Sequence, residues 1–313
     1  LSGVLVGNKL AVAIPSYNRR LFVERLLSTI PEDILTVVSD NGAYLREGLS
    51  CKRKNIRIES HDVVLDVFDN WNFALNMVLD ECDYLVMPSD DDLYLSGWSE
   101  RVLKYIDKID ADIFIFGSKV IDEFENVVGE YSEDRLTVLE APLGFLKYKY
   151  SVNARMPSVF FRSKFIRKIG GYDSKAFKLT AADSELIQRA LLLGRVAFIP
   201  EVISCYRVWS GGLTNKKIAS EEWLDEIEKW TDKIIMIGQS NAGIFTGTFS
   251  ENYADEIYAR NLYEGLVNLY RREEYRGLLS FKSKARWPKK ALFRTRLRIV
   301  RLVLKAKILS YVG

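Results

Sequence analysis

The sequence predicts an α/β fold with a mostly parallel central sheet, followed by a C-terminal helical region. Three observations predict it. The first 117 residues alternate short Val- and Ile-rich runs with segments whose apolar residues recur every three or four positions, the pattern of βαβ units. The middle section, roughly 118–215, is less regular, and from about Ser220 the spacing turns helical. A chain of 313 residues has room for one large α/β domain or two smaller ones.

In chain order, strands are expected at Leu10–Ser16, Ile34–Ser39, Ile56–Ser60, Tyr84–Pro88 and Asp112–Phe116, each apolar enough to be buried on both faces. Helices are expected at Arg20–Thr29, where Leu21, Val23, Leu26, Leu27 and Ile30 carry the periodicity, and at Asp66–Cys82 and Ser96–Ile109. Beyond the middle section come helices over Glu221–Gly238, Tyr253–Arg272, Glu273–Phe281 and Lys289–Val312. Tyr253, Tyr258, Tyr263 and Tyr270 suit a face that packs the tail or forms a homo-oligomer contact.

Composition excludes several chemistries. The single His61 rules out Ser-His-Asp catalysis and multi-His zinc sites, and a lone His is more often a structural hydrogen-bonder than a catalyst. Cys51, Cys82 and Cys205 are odd in number and outside any CxxC spacing, which argues against a disulfide framework and for a reducing compartment. No stretch has the roughly 18 to 20 apolar residues of a spanning helix, and Leu1–Lys9 lacks a signal pattern. The net charge of +3 hides an asymmetry. Eleven basic and no acidic residues lie between Lys282 and Gly313, leaving a net of −8 over residues 1–281. Such a tail is expected to meet a polyanionic surface.

In parallel sheets, ligands sit beyond the carboxyl ends of the strands. The residues there are Pro15-Ser16-Tyr17-Asn18-Arg19, Asp40-Asn41-Gly42 and Ser89-Asp90-Asp91-Asp92. Three adjacent carboxylates repel one another unless a cation or polar ligand sits among them. A hard divalent metal shared with phosphate oxygens meets that need; the alternative is a solvated loop or a helix cap. Asp40 is either part of a tight turn or an acceptor for a base or ribose. Tyr17 offers a ring for stacking, or packs as a rim aromatic.

In their order and spacing, Leu10-Ala-Val-Ala-Ile-Pro-Ser-Tyr-Asn-Arg19, Thr36-Val-Val-Ser-Asp-Asn-Gly42, Asn70-Trp-Asn-Phe-Ala-Leu75 and Tyr84-Leu-Val-Met-Pro-Ser-Asp-Asp-Asp-Leu93 resemble the motifs of family 2 glycosyltransferases. Gly170-Gly-Tyr-Asp173, Ala182-Asp-Ser-Glu-Leu-Ile-Gln-Arg189 and Ile199-Pro-Glu-Val-Ile203 to Tyr206-Arg207 continue the likeness, which covers about residues 10–210. The resemblance implies a GT-A catalytic domain over 1–215, with a nucleotide-binding half at 1–117 and an acceptor half at 118–215, followed by a helical region at 216–313. It also implies inverting transfer of a sugar from a UDP-, dTDP- or GDP-linked donor to an acceptor hydroxyl, with Mn²⁺ or Mg²⁺ as cofactor. By motif position Pro15, Tyr17 and Asp40 would hold the nucleobase, Asp90 the ribose, and Asn18, Arg19 and Arg207 other parts of the nucleotide-sugar. Asp91 would ligate the metal with Asp92 in support. Asp183 is the expected general base, with Glu185 in reserve.

The chain departs from the family pattern at Ala182, Ser89 and Trp209, where an acidic pair member, the first Asp of the metal motif and a His are usual. Those departures favour a second reading, an inactive GT-A module that binds nucleotide or glycan. Drawn as a helix, Lys289–Val312 places Arg294, Arg298, Arg301 and Lys305 on one stripe beside Phe293, Leu297, Val300, Leu304 and Ile308. That tail suits an anionic membrane interface, or packs on the preceding helices with its basic side outward. Nucleic acid is disfavoured, because the acidic body repels phosphates. The implied setting is cytoplasmic and peripheral on the inner face of the cell membrane. The implied acceptor there is a lipid-linked glycan of bacterial surface polysaccharide synthesis, or alternatively a polyprenyl phosphate.

Overall fold

A computed structural model describes residues 8–49, 53–179, 181–209, 217–241 and 248–311. Cys51 and Leu1–Gly7 of the N-terminal stretch lie outside them; Cys82 and Cys205 are free and buried. The chain divides into two compact units, one of Leu1–Gly144, Asn153–Ser174 and Leu193–Val208, the other of Phe145–Val152, Lys175–Leu192 and Trp209–Gly313.

The first unit carries the sheet. Its strands are β1 (Asn8–Ser16), β2 (Leu35–Asn41), β3 (Ile56–His61), β4 (Cys82–Val86), β5 (Leu93–Tyr94), β6 (Ile113–Ile121), β7 (Val127–Tyr131), β8 (Thr137–Leu139), β9 (Val159–Arg162) and β10 (Val196–Arg207). They run in the order β3-β2-β1-β4-β9-β6-β10-β5, with β7 on β6 and β8 on β10. The pairs β1/β2, β2/β3, β1/β4 and β6/β10 are parallel, as the βαβ pattern requires. Antiparallel β9 wedges between β4 and β6 and so leaves those two running the same way. The sheet is therefore more mixed than expected, because Val-Phe-Phe-Arg is too short to signal a strand outside its place in the sheet.

Helices α1 (Arg20–Leu27), α2 (Val67–Asn76) and α3 (Trp98–Ile106) fall where the apolar periodicity puts them. Leu10, Val12 and Ile14 of β1 share a core with Val23, Leu26 and Leu27 of α1 and Trp98, Val102 and Ile106 of α3. Alternation leaves Ala11 and Ala13 on the other face, and α2 packs on β1 and β2.

The second unit is helical. It contains most of α4 (Leu143–Tyr148) and of α6 (Ala181–Leu193), then α7 (Glu221–Asn241), α8 (Thr248–Arg271), α9 (Tyr275–Lys284) and α10 (Phe293–Leu309); α5 (Ser163–Ile169) belongs to the first unit. Gln188 of α6 ties four segments together. Its amide donates to the carbonyls of Tyr148 (2.9 Å) and Lys149 (3.2 Å), and its oxygen accepts from Trp230 Nε1 (3.0 Å) and the Tyr253 hydroxyl (2.5 Å). The basic tail is not one helix from Lys289: α10 starts at Phe293, after Pro288, and packs on α8 and α9. Tyr253 and Tyr258 are buried, and the Tyr258 hydroxyl accepts from the Arg286 N–H (3.2 Å). Among the described residues, no helix is long and apolar enough to cross a membrane.

Candidate active site

Strand register brings Ser16, Asp40 and Ser60 side by side at the carboxyl ends of β1, β2 and β3. Asp40 is fully buried, and its carboxylate accepts from the Tyr44 and Leu45 N–H groups (3.0 and 2.9 Å) and from Ser60 Oγ (2.7 Å). These bonds brace the loop after β2. That loop presents Tyr44 edge-on to Tyr17, with ring centroids 5.6 Å apart at 86°. Both rings are exposed, so of the three residues assigned to a nucleobase Tyr17 faces solvent, while Pro15 and Asp40 lie buried behind it. Tyr44 was not anticipated; its signal is an aromatic four residues after a strand-ending Asp, which fits many ordinary turns.

Beneath this loop runs a hydrogen-bonded chain. Ser39 Oγ donates to Asn70 Oδ1 (2.5 Å) and meets His61 Nε2 at 2.9 Å, and Asn70 Nδ2 donates to the Ser16 carbonyl (3.4 Å). His61 also stands edge-on to Phe73, the structural role expected of a lone His. Asn18 adopts a left-handed backbone (φ 53) that Asn tolerates better than most residues. That conformation turns the chain between Tyr17 and Arg19.

Gly42 has φ 102, and a Cβ there would lie 2.6 Å from Tyr44 Cε2. Gly42→Ala is therefore expected to cost about 1–3 kcal/mol of stability and to displace Tyr44 from Tyr17. Urea unfolding and nucleotide titration of the variant check this, and unchanged nucleotide affinity would detach the aromatic pair from binding.

The acidic cluster is built from two loops. Asp90, Asp91 and Asp92 are all buried. Arg19 Nη1 donates to Asp90 Oδ1 (2.9 Å) and Asp91 Oδ2 (2.8 Å), and the Tyr17 N–H donates to Asp90 Oδ2 (3.2 Å). Asp92 turns inward and accepts from the Ser89 N–H (2.8 Å) and the Arg207 N–H (3.2 Å). Arg207 is buried over Phe22. Its guanidinium donates to the Asp91 carbonyl (2.8 Å), the Asp122 carbonyl (3.1 Å) and Glu125 Oε1 (3.1 Å). The structure thus uses Arg207 to buckle the Asp90–Asp92 loop onto the turn between β6 and β7. Glu125 is a member the sequence did not reveal, since its link to Arg207 spans 82 positions.

Burial pushes Asp90 up to about 6, with Arg19 opposing and Asp91 adding to the shift. Asp92 is raised well above the carboxylate range by burial and then by Asp91. Between about pH 4 and 6 the folded protein holds the Asp90 proton, while the unfolded chain, ordinary at 3.8, does not. This contribution to stability is therefore present at low pH and falls by about 3 kcal/mol as pH rises through about 6. Asp90→Asn is expected to flatten that part of the stability–pH curve in thermal unfolding with a chelator present. An unchanged slope would place the shifted proton elsewhere.

The donor set is hard oxygen, and Asp91 is held at the cluster's edge by a cation. Among the described residues no group of three His, Cys, Asp or Glu side chains is arranged to hold a metal. Asp91, whose carboxylate now meets Arg19, is a hard oxygen donor of the kind divalent ions take.

In the second unit, Asp183 lies half-buried in the first turn of α6, where the helix dipole favours its charge. Glu185 is fully buried, bound by Arg189 through two bonds (2.7 and 3.0 Å) and by Lys233 Nζ at 3.3 Å. Its carboxylate holds α6 to α7. Trp209 is half-buried.

The sequence model described as Glycosyl transferase family 2 matches residues 11–169. No curated protein matches the chain. Among solved structures, residues 1–349 of S. aureus TarS in complex with UDP-GlcNAc are similar, with a TM-score of 0.58 and 13% identity over 97% of this chain and 92% of that one. A longer TarS structure has a TM-score of 0.57 at 13% identity, over 96% of this chain and 55% of that chain. GalNAc-T7 with UDP, GalNAc and Mn²⁺ has a TM-score of 0.50 at 11% identity, over 80% of this chain and 51% of that one. Identities this low speak to fold alone, and the shared fold is the GT-A-like mixed α/β architecture with its helical C-terminal region. The family match spans half of the sequence, and this chain belongs to glycosyltransferase family 2.

Proposed function

We propose that the chain moves a sugar, with inversion, from a nucleotide-sugar to a hydroxyl of a lipid-linked glycan at the inner face of the cell membrane. The observation that carries the reading is the Asp90–Arg19–Asp91 cluster at the carboxyl ends of β1 and β4, beside the exposed Tyr17–Tyr44 pair. Buried carboxylates already sharing a cation suit a ligand that brings both hydroxyls and phosphates. The TarS complexes with UDP and UDP-GlcNAc make uridine donors the first to try.

In this reading the nucleobase stacks at Tyr17 and Tyr44, and ionised Asp90 accepts hydrogen bonds from the ribose. Asp91 would hold a divalent metal, which would supply charge neutralisation for the departing diphosphate. Asp92 and Arg207 keep the loop in place from behind. Arg19, whose guanidinium bridges Asp90 and Asp91, would pair with phosphate oxygens of the donor. Asp183, assigned by its motif, takes the proton from the acceptor hydroxyl. The hydroxyl oxygen bonds to the anomeric carbon as the bond to the diphosphate oxygen breaks.

A panel of UDP-, dTDP- and GDP-sugars, each with Mn²⁺, Mg²⁺ or chelator, tests the reading. Transfer or slow hydrolysis of one donor is expected, with the anomeric configuration inverted in the product. Nucleotide binding without turnover of any donor, in the presence of a lipid-linked glycan acceptor, would favour the inactive binding module.

A further inference from the structure

The C-terminal helix α10 is fixed from behind. Thr295, Ile299 and Ala306 are buried against the neighbouring helices of the second unit. Buried Glu256 of α8 caps its first turn, accepting from the Leu292 N–H (2.9 Å), from Thr295 Oγ1 (2.8 Å) and from Arg260 Nε (2.6 Å). Its neighbour Asp255 accepts from the Lys290 N–H (2.5 Å) and from Arg286 Nη1 (2.5 Å). These anchors lie on one side of the helix.

The other side carries a second apolar line. Phe293, Leu297, Val300, Leu304, Ile308 and Tyr311 follow one another at intervals of four, three, four, four and three residues, so they form a straight ridge. Phe293 is 72% exposed, Leu304 56% and Ile308 66%; Leu297 alone is half-buried. Exposed Arg294, Arg298, Arg301 and Lys305 border the ridge on one side and Lys307 on the other. The imperfect amphipathicity of the sequence thus resolves into two apolar faces, a small one for the protein and a large one turned to solvent.

We propose that this ridge seats the protein on an anionic lipid surface, with the apolar side chains between the headgroups and the flanking cations at lipid phosphates. The inference rests on the membrane-surface location proposed above and assigns it a contact face. Charge complementarity selects the occupant. From Phe293 to Leu309 the helix carries six cations and no acid, and a surface both apolar in depth and anionic at its edge matches an apolar line with cationic borders.

The test is flotation of the full chain with vesicles of phosphatidylcholine, alone or with about a third phosphatidylglycerol. The chain is expected to float with the anionic vesicles and to stay down with the neutral ones. A Leu304→Ser/Ile308→Ser variant should partition roughly tenfold more weakly or worse. Arg298→Gln/Arg301→Gln/Lys305→Gln should lose a similar factor, together with most of the salt dependence. Unchanged melting temperatures, expected because all five side chains are exposed, confirm that the variants fold. The inference is overturned if the wild-type chain stays down with anionic vesicles, or if the apolar variant floats as well as wild type. It is also overturned if that variant dissolves a dimer seen by sedimentation, which would give the ridge to a second copy. No donor or acceptor enters the assay, so a chain that floats as expected but turns over no nucleotide-sugar fails only the enzymatic reading.

Discussion

Asp183→Asn is expected to lower kcat by roughly 10²–10⁴-fold while leaving donor affinity nearly unchanged. The substitution keeps the size and the helix-capping ability of the side chain and removes its capacity to take a proton. Because α6 is held by Gln188 and by the Glu185–Arg189 pair, loss of one first-turn charge should cost less than about 1 kcal/mol of stability. Activity and stability are thereby separated. Steady-state transfer at saturating donor, beside a melting curve, checks the expectation; full transfer by the variant would take the base role away from Asp183. Glu185→Gln should behave in the opposite way, since it breaks a buried ion pair and so destabilises the helix.

Asp91→Asn is the second large effect, a fall of about 10²–10³ in kcat/KM for the donor, or about 3–4 kcal/mol. The wild-type carboxylate is buried and sits 2.8 Å from the Arg19 guanidinium, and in the proposed reading it would serve a divalent ion as a hard oxygen ligand. An amide offers that ion no charge and leaves Arg19 to Asp90. Activity titrated against Mn²⁺ should show a raised half-saturation in the variant, and an unchanged metal profile would contradict the assignment. Asp92→Asn should instead show its effect mainly in stability, because Asp92 serves the Ser89 and Arg207 N–H groups.

Much of the scaffold was legible because its signals are local. Leu10–Ser16, Ile56–Ser60 and the helix beginning at Arg20 carry periodicities that need no knowledge of their neighbours, and each lies within a few residues of its observed element. The three polar loops converge as expected, since a parallel sheet gathers its carboxyl ends on one edge. What escaped reading depends on distant pairing. Val159–Arg162 becomes a strand only because β4 and β6 leave a gap for it. The spacing around Arg207, assigned by its motif to the nucleotide-sugar, does not show that Asp91, Asp122 and Glu125 surround it. Nor does the sequence around Asp40 show that its oxygens take the Tyr44 and Leu45 N–H groups. Nothing in the spacing of α10 shows which of its two apolar faces packs and which is left bare.

The bonds at Gln188 bear on how the protein comes to be made. Its partners are contributed by Tyr148 and Lys149 upstream and by Trp230 and Tyr253 downstream. As the chain leaves the ribosome, Gln188 of the helix bearing Asp183 lacks the Tyr253 hydroxyl until that residue, some seventy positions after Asp183, has emerged. The sheet can close before then, since its last strand ends at Arg207. The sheet can thus form ahead of the helical unit, and an interrupted chain ending between Arg207 and Tyr253 would carry the Asp90–Arg19–Asp91 cluster without the full set of bonds at Gln188.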